Sequence, residues 1–161
     1  MLPELSEKLH KNAKGWLILV LLAGEIFFSA NYLPGVQAKL ENYSNGTGPI
    51  DLLPAYTPEK VYSMVDSYGA EGRAFYRTHE LTIDVIYPIV YTLLFTLLIS
   101  WLFQRGFASV SGMQKLNVIP LGAFVFDMLE NICIVAMLSI HPAQPAALAW
   151  LASGITVVKW L

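Results

Sequence analysis

Apolar residues in this chain come in long unbroken runs rather than in strict alternation. Four runs reach or approach the roughly 20 residues that cross a bilayer as a helix. They cover about 15–33, 81–103, 117–140 and 143–161, the last with Pro142 and Pro145 at its start. Continuous runs point to helices rather than to the ten-residue alternating strands of a barrel. The expected fold is an all-α integral membrane protein, a single membrane domain over 1–161 built as a four-helix bundle. Lys8, Lys11 and Lys14 precede WLILVLLAG as they would in a signal peptide. Glu25 interrupts that run, however, and Phe28 stands where a cleavage site before Ala30 needs a small residue. The segment is therefore expected to remain as the first helix.

Between the first two runs lies a long polar segment, 34–80. Its first half, ENYSNGTGP, is rich in turn residues and carries two glycosylation sequons, at Asn42 and Asn45. In its second half Thr57-Pro58-Glu59 has the form of a helix start, with a capping hydroxyl, a first-turn proline and an acid. Val61, Met64, Val65 and Tyr68 then recur at helical spacing. This predicts an amphipathic helix over about 58–69, ended by Gly69, with its apolar face on the bundle.

Lysine and arginine set the expected orientation. Lys8, Lys11, Lys14, Arg105, Lys115 and Lys159 fall on one side, which makes both termini cytoplasmic. The 34–80 loop then lies outside or in a lumen, its few bases outnumbered by acids. Trp16, Trp101 and Trp160 mark one interface, and Tyr32, Tyr87 and Trp150 the other. Composition agrees: 55% of residues are hydrophobic and 14% charged, where a soluble domain carries about 25% charge. A net charge of −2 without a basic run disfavours nucleic acid as a partner. The lone Cys133 cannot form an intrachain disulfide.

Against this greasy background stand several carboxylates. Asp127, Glu130 and Asn131 share one arc of the third helix, with Asp127 about 18 Å from Lys115 along the axis. Glu25 in the first helix stands about 16 Å from Lys14, and Asp84 opens the second. A charged acid at the bilayer centre costs about 2.5–3.5 kcal/mol, so three facing lipid would cost roughly 8–10 kcal/mol. They are expected to face inward and to be neutralised. A proton, a hard divalent cation held by oxygen ligands, or a base would serve. Among the bases, Lys159 is placed below the acids, where it would snorkel to water, and Arg73 and Arg77 lie in the loop. Interhelical hydrogen bonding alone returns only about 0.6 kcal/mol per contact, which favours a functional site.

The residues that would line a binding site are Glu25, Asp84, Asp127, Glu130 and Asn131, with Arg73 at the rim and His79 near the mouth. The leading function is a membrane protein with a buried carboxylate-lined pocket, open to the outer side, binding a cation or an amphiphile with a basic or hydroxylated head group. The alternatives are a lipid-modifying enzyme using a carboxylate pair drawn from Asp127, Glu130 and Glu25, and a proton- or cation-coupled transporter, which with four helices would need a homo-oligomer. An accessory subunit docking on a larger membrane complex through the small-residue stripe Ala146, Ala149 and Ser153 is a further alternative. Membrane lipids are the expected partners. No apolar run contains histidine, which disfavours haem and zinc and leaves a divalent cation as the candidate cofactor.

Overall fold

The computed structural model describes residues 2–108 and 112–161. All regular structure among them is helical. The α-helices are α1 (Leu2–Asn12), α2 (Gly15–Phe27), α3 (Leu33–Ser44), α4 (Pro58–Ser67), α5 (Gly69–Glu80), α6 (Ile83–Gly106), α7 (Pro120–Ile140) and α8 (Ala146–Trp160). Three helical stretches, Gly15–Ser44, Gly69–Gly106 and Gly112–Ile140, are long and apolar enough to cross a membrane. They give the protein its membrane location. The apolar α8 has 15 residues and spans about 22 Å.

The segment 34–80 is mostly helical, although its polarity suggested a loop. Helix α2 runs into α3 through a π turn, Phe28–Tyr32. Pro34 follows directly and has no N–H to return to the carbonyl four residues back, a defect that a wider turn absorbs. Helix α3 ends at Asn45, whose φ of 53° closes it in the left-handed region. The amphipathic helix predicted from 58–69 is α4. Thr57 caps it, its hydroxyl accepting from the Lys60 N–H at 3.3 Å, and Pro58 occupies its first turn. Gly69 ends it with φ of +63°, and α5 begins at once.

The chain divides into two compact units, Met1–Phe28 with Tyr87–Val125, and Ser29–Ile86 with Phe126–Leu161. In the first unit α2 buries little beyond Ile18, which packs with Leu94 and Leu97 of α6. Leu19, Val20, Ile26 and Phe27 stay exposed, as lipid-facing residues do. The amphipathic α1 lies on a 3-10 stretch, Gly112–Val118. Buried Asn117 holds it there, its amide donating to the Ser6 carbonyl (3.2 Å) and Ser100 Oγ (2.8 Å) while Ser6 Oγ donates to its Oδ1 (2.7 Å).

In the second unit Val61, Met64, Val65 and Tyr68 are buried with Leu40, Tyr76, Ile134, Met137, Ala149 and Ala152 in one apolar cluster. The small residues of α8 let α4 approach closely, so Ala149 and Ser153 are covered within the chain itself. Gly72 serves the same purpose between α3 and α5. A Cβ there would stand 2.9 Å from Tyr43 Cβ and 3.1 Å from Tyr68 Cβ.

Candidate functional site

The residues that carry chemistry gather in the second unit, where α7 brings Asp127, Glu130 and Asn131 against α8 and the start of α6. The two acids among them share one base inside the protein. Lys159 Nζ donates to Glu130 Oε2 and lies 3.2 Å from Asp127 Oδ1. Glu130 is fully buried, and Thr156 donates to its other oxygen. This corrects the expectation that Lys159 snorkels away from the acids to water. The turn between α7 and α8 is short, so both helices can be measured from it. Glu130 stands about 15 Å along α7 and Lys159 about 20 Å along α8, a gap that a four-carbon stem spans. The Tyr56 hydroxyl lies 3.4 Å from Thr156 Oγ1. Burial holds it well above the ordinary phenol range, against the lowering effect of the Thr156 hydrogen bond, and keeps it protonated.

Asn131 has a structural task that a proline creates. Pro88 stands inside α6 and has no N–H to offer the carbonyl of Asp84, four residues earlier. Asn131 Nδ2 donates to that carbonyl at 2.7 Å. In lipid a freed carbonyl must find a donor from a neighbouring helix, and this accounts for an amide at 131. Only the nitrogen is used. Asn131 Oδ1 is buried and has no hydrogen-bond partner.

Glu80, the last residue of α5, presents the sharper anomaly. It is 1% exposed, and among the described residues neither carboxyl oxygen has a hydrogen-bond partner. The Tyr76 hydroxyl lies nearby but is committed elsewhere. It donates to Asp51 Oδ1 at 2.5 Å and accepts from the Ile50 N–H at 2.9 Å. Asp84 is also buried, and among the described residues neither it nor Glu80 takes part in a salt bridge.

Glu80 and Asn131 line one pocket of about 190 Å³, with Leu81, Val85, Met128, Ile132 and Val135 as its apolar walls. Leu81 and Ile132 are exposed at its rim. Its polar end coincides with the point where the polar helix α5 stops and the apolar α6 begins. An apolar cavity with a few placed polar groups is the usual form of a small-molecule site.

The other residues singled out in the sequence fall elsewhere. Glu25 belongs to the first unit, where the Tyr87 hydroxyl donates to its Oε1 at 2.9 Å. Arg73 donates to the Val65 carbonyl at 3.3 Å, near the C-terminal end of α4, and not to the acids of α7. His79 is buried, its ring stacked on Tyr32. Among the described residues no group of three His, Cys, Asp or Glu side chains is placed to hold a metal ion.

Sequence spacing singles out neither Glu80 nor Asp51 and Tyr76. A buried acid at the end of a polar helix has no signature in spacing, because its burial comes from α7. No family model matches the chain, and no curated protein or solved structure matches it.

Proposed function

We propose that this is a four-span membrane protein that binds an amphiphile, holding a basic or hydroxylated head group among its buried carboxylates and the start of the tail on apolar walls. The observation that carries this reading is the pocket with open acceptors on Glu80 and Asn131. Leaving a buried acceptor unpaired costs about 1–3 kcal/mol, more where the group is charged, and a donor from a ligand offsets that cost. The pocket is too small to enclose a whole lipid, since drug-sized sites run to about 300–1,000 Å³. It suits a head group and the first few methylenes, with the remaining tail lying along the exposed rim at Leu81 and Ile132.

Filling the pocket tests this. Native mass spectrometry of protein released gently from its membrane should find an amphiphile on the wild type. Val135→Phe, verified as folded by its thermal transition, should have lost it. An amphiphile-free wild type, or equal retention by Val135→Phe, removes the reading.

The proposal includes an orientation, with both termini cytoplasmic and α8 as the fourth span. A fluorescent protein fused after Leu161 should therefore fold and fluoresce in the cytoplasm. In intact cells an impermeant maleimide should label Thr47→Cys, while Cys133 is buried and should not react. A fusion that is dark but exported would reduce the count to three spans.

A further inference from the structure

The two polar residues that line the pocket, Glu80 and Asn131, carry buried acceptors without a partner among the described residues. Three of them are open, Glu80 Oε1, Glu80 Oε2 and Asn131 Oδ1, and each needs a donor. Among the described residues no base lines the pocket, Arg77 is exposed on α5, and two further cations are engaged elsewhere. Lys159 is held by Glu130 and Asp127, and Arg73 by the Val65 carbonyl. Asp84, buried on the first turn of α6, adds to the acidic surroundings.

From this complement we infer that the pocket selects a primary ammonium head group, R–NH₃⁺, on an apolar tail. Such a head carries three N–H donors and one positive charge. It matches three open acceptors and one unpaired carboxylate, with charge-assisted bonds at Glu80. An alcohol brings one proton and leaves two acceptors open. A quaternary ammonium carries the charge but no donor. A carboxylate or phosphate brings like charge into a site with no base among its lining residues and is rejected by repulsion. The position of Glu80 at the junction of polar α5 and apolar α6 sets the ammonium at the end of the apolar segment, with the chain leading from it past Leu81 and Val85. The same head chemistry occurs on a single-chain amine and on an aminophospholipid. The inference rests on the amphiphile reading above and narrows it to one class.

The test uses the full chain in phosphatidylcholine nanodiscs, with binding to empty discs subtracted. Dodecylamine, dodecanol, dodecyltrimethylammonium and dodecanoate are titrated in parallel. Dodecylamine should bind saturably at one site and about tenfold or more tighter than the other three, the return expected for a charge-assisted hydrogen bond. Glu80→Gln should abolish that preference. Discs doped with phosphatidylethanolamine separate the two sources of the head group. Competition with dodecylamine identifies the bilayer lipid, and its absence identifies a free amine. Equal binding of the alcohol, the quaternary amine or the carboxylate overturns the head-group assignment and leaves amphiphile binding standing. An undiminished preference in Glu80→Gln overturns the role of Glu80. Saturable binding by none of the four overturns the amphiphile reading as well.

Discussion

Replacing Lys159 with methionine should cost about 3–5 kcal/mol of stability, the loss expected when one member of a buried ion pair is removed and its partner stays behind. The effect is large because one ammonium serves two carboxylates. Glu130 is fully buried and Asp127 nearly so, and both lose the ammonium they share. Against a typical total of about 5–15 kcal/mol, such a loss removes a large share of the fold's stability. Unfolding in mixed micelles, followed by tryptophan fluorescence, measures it. The triple variant Lys159→Met, Asp127→Asn, Glu130→Gln should recover most of the loss, because what destabilises is the uncompensated charge. A single variant within about 1 kcal/mol of wild type would mean that the three side chains are hydrated and contribute as a surface pair does.

Glu80→Met should act in the opposite direction and stabilise the ligand-free protein by about 1–3 kcal/mol. The two side chains are close in volume, so little cavity or overpacking term enters. What is lost is a carboxyl with both oxygens unpaired in a site that is 1% exposed. The same unfolding assay measures this, and the variant should at once lose amphiphile binding. A residue that weakens the free protein and is needed for the liganded one shows the trade-off typical of functional sites. Destabilisation by more than about 1 kcal/mol would instead mean that Glu80 is satisfied in the folded state. Tyr76 would then be its partner, and the pocket would lose its principal acceptor.

The membrane character and most of the helices were legible because lipid constrains a sequence one residue at a time. Each position in a span must be apolar or have a partner, and long apolar runs record this directly. Helix α4 was legible for a similar local reason. Its cap at Thr57, its proline and the spacing of Val61, Met64, Val65 and Tyr68 all lie within three turns, and the structure buries that same face. Helix α5 was harder to read. GAEGRAFYRTHE is polar and begins with a glycine, yet Tyr76, His79 and Glu80 are buried on it. Its burial comes from residues brought in by other helices. The inward arc of Asp127, Glu130 and Asn131 was also readable from spacing, since all three are buried.

The partners of those residues were not readable. Lys159 reaches Glu130 because the short turn between α7 and α8 sets how far each helix runs before the two side chains are level. Asn131 meets the Asp84 carbonyl because Pro88 frees it and α7 passes beside that turn. Periodicity along one helix gives the face a residue occupies but says nothing of the neighbour that faces it. The sequence alone therefore determined a helical membrane protein with acids turned inward, since the cost of placing charge in lipid allows little else. Only the tertiary structure decided that one lysine pairs with two of those acids and that Glu80 and Asn131 line a pocket with acceptors unpaired, because pairing depends on the register between helices.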